Sequence, residues 1–196
     1  MTAPPTSRDR APVEHFERLA REAADPWSYE TSDYEQRKYR HTLEYLPERP
    51  GRTLELGCSI GVFTAMLAPR CDCLFAVDFS PTALERAARR LHDAHHVQVL
   101  QRRLPEEMPE GPFDTIVCAE ILYYWSADLV RVGLRQMEAA LAPGGTLVTI
   151  HWRHPDRRRE LTGDDVHAII DAETRLETKA RCTTPDYLLD RRVARW

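Results

Sequence analysis

Apolar and polar positions along the chain change their period several times, and each change marks an element. Val13, Phe16, Leu19, Ala20 and Ala23 recur three and four apart, which predicts an amphipathic helix over 13–24. Asp25-Pro26 stops it. Ser32 can cap a second helix, with Glu35 three residues on to complete a capping box. That helix runs to about Leu46 and carries Tyr34, Lys38, Thr42 and Tyr45 near one face. After Pro50-Gly51 the pattern turns to short apolar runs at 53–56, 73–77, 97–100, 113–118 and 146–150. Runs of this length with little polar alternation predict strands, several of them covered on both faces. Helical periods lie between them. One follows Gly61, one is opened by Ser80 as N-cap and Pro81 at the first helical position, and one spans 127–141 until Pro143-Gly144-Gly145 breaks it. Arg86, Arg89 and Arg90 read as a solvated face, and Arg157-Arg158-Arg159 as a solvent-facing loop. Thr162 caps a helix over about 163–172, and 175–181 and 187–194 alternate as an antiparallel edge pair.

Strand and helix alternate through residue 150, so the fold class is α/β. The expected architecture is a single Rossmann-like, seven-stranded sheet. It is mostly parallel, with an antiparallel C-terminal edge strand, helices on both faces and an N-terminal helical lid. Residues 1–12 read as a disordered tail, 13–49 as the lid and 50–196 as the core. Right-handed crossovers bring the strand C-terminal ends to one edge. Gly57, Asp78, Leu104, Glu120 and His151 all stand at or just past those ends, where such sheets bind ligands.

Composition narrows the function. The 196 residues suit one domain with a sizeable core. A net charge of -4 argues against a general binder of nucleic acid or anionic membrane. No apolar run approaches the roughly 18 residues of a membrane span, and Met1-Thr2-Ala3-Pro4-Pro5 lacks a signal-like apolar region, so a cytoplasmic protein is expected. Five cysteines without a second pair at metal spacing read as reduced thiols, with no metal site. The expected partner is a small-molecule acceptor, met by a monomer or homodimer.

The most informative stretch is Leu54-Glu55-Leu56-Gly57-Cys58-Ser59-Ile60-Gly61, a strand running into a glycine turn and a helix. A dinucleotide site prefers glycine where Ser59 stands, and Glu55 would repel a pyrophosphate, which disfavours a nicotinamide-dependent oxidoreductase. An acidic residue there suits a ligand carrying an ammonium or sulfonium. Asp78 lies 21 residues past Gly57, the interval at which an acidic side chain meets ribose hydroxyls.

This E-x-G-x-x-x-G turn, Phe113-Asp114-Thr115-Ile116-Val117 and Leu141-Ala142-Pro143-Gly144-Gly145-Thr146-Leu147 resemble class I S-adenosylmethionine (SAM) methyltransferases. Asp25-Pro26-Trp27, Ser32-x-Tyr34-Glu35, Leu67-Ala68-Pro69-x-Cys71 and Ala119-Glu120-Ile121-Leu122-Tyr123-Tyr124 are similar to NodS-type N-methyltransferases. Those enzymes methylate the free amine of a de-N-acetylated glucosamine on a chitooligosaccharide. The resemblance implies SAM as cofactor and a site drawn from this chain. Gly57, Cys58 and Gly61 would line the methionine side, with Glu55 near its ammonium. Asp78 would hold the ribose and Phe79 flank the adenine. Arg103 and Leu104 would edge the adenine, although an arginine cannot accept from the adenine amino group. Trp27 and Tyr39 would close from the lid. Glu120 is the first candidate to take a proton from the amine or orient it, and His151 the second, since imidazole titrates near neutrality. Tyr123, Tyr124 and Trp152 would form an aromatic wall for a sugar ring. The alternatives are an O-methyltransferase of a natural-product intermediate and a catalytically silent SAM-binding protein.

Overall fold

The computed structural model describes residues 13–156 and 159–196; the segment 1–12, read as a tail, lies outside them, as do Arg157 and Arg158. Two helices, α1 (Val13–Glu22) and α2 (Asp33–Glu44), precede β1 (Arg52–Leu56) and α3 (Val62–Leu67). There follow β2 (Cys73–Asp78), α4 (Pro81–Arg90), β3 (Val97–Gln101), β4 (Phe113–Ala119), α5 (Ala127–Ala140) and β5 (Leu141–Trp152). The chain ends with α6 (Gly163–Glu173), β6 (Glu177–Thr183) and β7 (Tyr187–Val193).

The strands form one seven-stranded sheet in the order β3-β2-β1-β4-β5-β7-β6. The first five are parallel, while β7 runs antiparallel to both β5 and β6. The central strands are buried nearly throughout, whereas edge strand β6 alternates towards solvent. Apolar clusters cover both faces: Leu54, Ile116, Leu134, Met137 and Ile170 belong to one, and Phe63, Leu67, Val148 and Leu189 to another. All five cysteines are free thiols.

Three local readings need correction. Pro143-Gly144-Gly145 does not separate α5 from β5. Leu141 already pairs with Phe113, residues 142–145 bulge out, and Thr146 pairs with Thr115. Gly144, at φ +73°, supplies the left-handed backbone of that bulge. The capping box at Ser32 is half made: the Ser32 side chain accepts from the Glu35 N–H at 3.3 Å, but the Glu35 carboxylate turns to Lys38. The arginines of α4 are not simply a solvated face. Arg86 donates to the Ala23 and Ala24 carbonyls (2.8 and 3.1 Å), and Arg90 donates to the Ile60 carbonyl and pairs with Glu30. Backbone carbonyls at the end of α1 lack helical partners, and Arg86 supplies donors there.

These bonds seat the N-terminal helices over the strand ends. Glu17 of α1 adds to them, its two oxygens accepting from the hydroxyls of Ser80 and Thr82 at 2.5 Å each. Ser80 thus caps α4 through Ala83 N–H and fastens α1 with the same hydroxyl.

Candidate active site

Between these helices and the C-terminal ends of the parallel strands lies a cavity of about 610 Å³. At one end the chain leaves β1 through Gly57, whose N–H and that of Cys58 both donate to the Val77 carbonyl (2.8 and 2.9 Å). Gly57 has φ +78°, and a Cβ there would lie 2.4 Å from the Ile121 side chain. No other residue fits that turn without displacing Ile121. Asp78, at the end of β2, accepts from the Ser59 and Ser80 N–H groups, each at 2.9 Å. Burial raises its carboxyl, with those N–H groups opposing. Each of its oxygens keeps a lone pair for a ligand. Glu55 lies in β1 behind the wall, 3% exposed, with Oε2 unpartnered among the described residues. Burial and the charge of Asp78 push its carboxyl up to about 7.

At the other end stands Glu120, directly after β4. Its backbone is left-handed, φ +60°, and its N–H donates to the Ile150 carbonyl at 2.9 Å. A positive φ is unusual for a residue with a side chain and marks a position held by its surroundings. The carboxylate accepts from Lys38 Nζ at 2.9 Å, from the Trp152 N–H at 3.1 Å and from the Tyr123 hydroxyl. Burial would raise the carboxyl, but Lys38, Tyr123 and Trp152 together hold it below the ordinary carboxylate value. Lys38 is 4% exposed and reaches Glu35 at 2.9 Å on its other side. Burial disfavours its charge, yet Glu120 and Glu35 more than compensate and raise its pKa.

Of the residues singled out from the sequence, Trp27, Gly57, Asp78, Phe79, Arg103, Leu104, Glu120, Tyr123, Tyr124 and Trp152 line the cavity. Tyr39, Glu55, Cys58, Gly61 and His151 do not. Tyr39 packs against Phe63 (5.2 Å between ring centroids), and it is Tyr29, stacked on Trp27 at 5.5 Å, that reaches the wall. Gly61, at φ +77°, is a packing glycine: a Cβ there would lie 3.0 Å from the Ala87 Cβ, so it lets α3 approach α4. His151 is fully buried, and its ring nitrogen Nδ1 lies 3.3 Å from His167 Nε2, behind which His167 meets Asp190 at 3.0 Å. Neighbouring residues of a strand face opposite sides of the sheet. Trp152 therefore meets the cavity and His151 the packing under α6. Burial, and then His167, pull the imidazole well below its ordinary value, so His151 stays neutral and off the wall.

The structure adds side chains that sequence reasoning missed. Phe16 from α1 packs on Tyr124 (4.8 Å) and Phe79 (6.1 Å). Its helical spacing predicts only an apolar face. For Lys38 the spacing gives a helix face and no partner. Arg159, read as part of a solvent-facing run, instead lies 3.9 Å above the Tyr123 ring on the cavity wall.

The family described as Nodulation protein S (NodS) matches residues 11–177. The chain belongs to the NodS family. Nodulation protein S of Bradyrhizobium diazoefficiens is 38% identical over 142 residues, 69% of this chain and 67% of that protein. The Rhizobium tropici protein is 34% identical over 74% of this chain and 66% of its own length, so the chain aligns with about two thirds of these relatives. Among solved structures, N-methyltransferase NodS from Bradyrhizobium japonicum WM9 in complex with S-adenosyl-L-homocysteine (SAH) superposes with a TM-score of 0.83. It is 28% identical and covers 92% of this chain and 97% of that one. A Pseudomonas syringae protein described as a putative methyltransferase is 40% identical at TM-score 0.72, covering 82% of this chain and 98% of that one.

This NodS-family chain is a SAM-dependent methyltransferase. Its residues fit that cofactor on their own chemistry. A glycine turn admits close approach, and at the same end of the cavity Asp78 is a buried carboxylate with lone pairs to spare. Among the described residues no cluster of His, Cys, Asp and Glu could hold a metal, and no helix is long and apolar enough to cross a membrane.

Proposed function

We propose that the chain N-methylates the amine of an amino sugar or a related small polar amine. The observation that carries this reading is Glu120, a carboxylate held ionised at the cavity wall beside an aromatic surface. SAM, when bound, supplies a methyl group already activated by its sulfonium. The protein then has to position an amine in line with that carbon and leave the nitrogen lone pair free.

Asp78 holds the ribose hydroxyls, Gly57 lines the methionine end with the Glu55 carboxyl behind it, and Phe79 flanks the adenine. Arg103 and Leu104 edge the adenine through backbone, because the Arg103 side chain offers no acceptor. Trp27 closes from above. Glu120 orients the amine. A carboxylate has about four lone-pair sites, and Lys38, Tyr123 and Trp152 occupy three, which leaves one for an amine N–H. With its pKa lowered, Glu120 is a weak base and a good anchor. The ionised Glu120 beside it favours the ammonium, so the amine has to enter already neutral from solution, with its lone pair free for the chemistry. Tyr123, Tyr124 and Trp152 present rings to the sugar.

A methyl-transfer screen over glucosamine oligomers, amino-sugar glycosides and phenols, read by mass change, tests the reading. Methylated amino sugars are expected. Methylation confined to the phenols would assign the chain to O-methyl transfer.

A further inference from the structure

Charged groups on the cavity wall are answered by a partner almost everywhere. Lys38 is neutralised by Glu35 and Glu120, and Asp78 by two backbone N–H groups. Arg159 is the exception among the cations that meet the aromatic surface. Its guanidinium carbon lies 3.9 Å from the Tyr123 ring centroid, 4.8 Å from Trp152 and 5.2 Å from Tyr124. One nitrogen, Nη2, makes a long 3.4 Å contact to the Tyr124 hydroxyl. The other two, Nε and Nη1, are shielded from water and have no acceptor among the described residues. No described carboxylate forms an ion pair with it.

A guanidinium withdrawn from water without a counter-ion is costly. Stacking on aromatic faces offsets part of the cost, because the ring quadrupole attracts the cation. It does nothing for the N–H groups, which lie in the guanidinium plane. We infer that Arg159 binds an anionic oxygen group, carboxylate or phosphate, borne by the acceptor. The inference rests on the amine reading above and deepens it: the amine sits at Glu120, the anion at Arg159, and the Tyr123 ring spans the gap between them. Asp156 and Asp186 line the same end. The cavity is therefore no general trap for anions, and it favours only a group laid directly against Arg159. Arg159 is a specificity-determining residue, not a catalytic one.

Three amines that differ only at C6 test this: glucosamine, glucosamine 6-phosphate and 2-amino-2-deoxyglucuronic acid. Their binding to SAH-saturated protein is measured by calorimetry, and their methylation with SAM by mass change. A charge-assisted hydrogen bond is worth roughly ten- to hundredfold in affinity. At least one anionic amine should bind tenfold or more tightly than glucosamine, and which one identifies carboxylate or phosphate. Arg159→Gln should erase that preference and Arg159→Lys retain part of it, with SAH affinity in both variants showing that the fold persists. Equal binding of the three amines to the wild type, or an equal loss for all three in Arg159→Gln, overturns the inference and leaves Arg159 as packing. Tight binding of an anionic amine that is never methylated leaves Arg159 in place and removes the N-methyl reading instead.

Discussion

The two ends of the cavity are built by different means. The end holding Gly57, Ser59 and Asp78 is made largely of backbone, at the tips of the adjacent strands β1 and β2, with its key bonds spanning two to about twenty residues of sequence. The end holding Glu120 is made of side chains from remote segments. Lys38 and Glu120 are 82 residues apart, and Trp152 and Arg159 come from beyond β4 and α5. The first end presents fixed dipoles and one carboxylate, the second a cluster of buried charges and rings. A ligand common to many proteins can be held by a short recurring turn. A particular acceptor needs side chains chosen one at a time, and these can come from anywhere the fold brings close.

If the acceptor end depends on the buried charge cluster of Glu35, Lys38 and Glu120, removing its cation has the largest effect. Lys38→Met leaves Glu120 buried without its principal counter-charge and should cost about 3–5 kcal/mol of stability, read by urea denaturation. Lys38→Met with Glu120→Gln should recover part of the loss, because the stranded charge is then gone. A single variant as stable as the wild type would mean that the two ends do not differ in this way.

The backbone-built end has its own buried acid, and pH probes it. The Glu55 carboxyl stands at about 7 in the folded chain against 4.5 for the ordinary side chain. Folding therefore favours its protonated form. The contribution is full below pH 4.5 and is lost as pH rises through about 7, a change on the order of 3 kcal/mol in the ligand-free protein. Glu55→Gln should flatten that part of the stability–pH curve, measured by thermal or chemical denaturation across pH 4 to 8. An unchanged curve would mean that Glu55 does not titrate in this range.

A smaller effect separates cofactor binding from folding at the same end. Asp78→Ala removes the proposed ribose partner and should weaken SAH roughly hundredfold by calorimetry. Intact affinity would take Asp78 out of the cofactor site and erase the contrast between the two ends.

Much of the backbone-built end could be read from residue order. Gly57 is demanded by a local turn, and Asp78 follows it at an interval imposed by one strand–helix–strand unit. Glu120 was legible too, as the residue just past β4. Lys38 was not, because a lysine on a mixed helix face looks the same whether it meets water or a buried carboxylate. Arg159 was obscured by its neighbours in a run of three arginines, a pattern that fits a solvated loop. His151 misled for a related reason. It stands at the correct strand end, but the alternation of side chains along β5 turns it to the far face of the sheet.

Periodicity, glycine spacing and strand-end acids determined the α/β sheet and its binding edge, because each depends on interactions within a few tens of residues, and the motif resemblance implied the cofactor. Only the tertiary structure decided which charges become partners, which rings face the cavity and that Arg159 keeps donors without acceptors among the described residues. Those outcomes depend on burial and on contacts between distant segments, where the same side chain has opposite energetics in water and out of it.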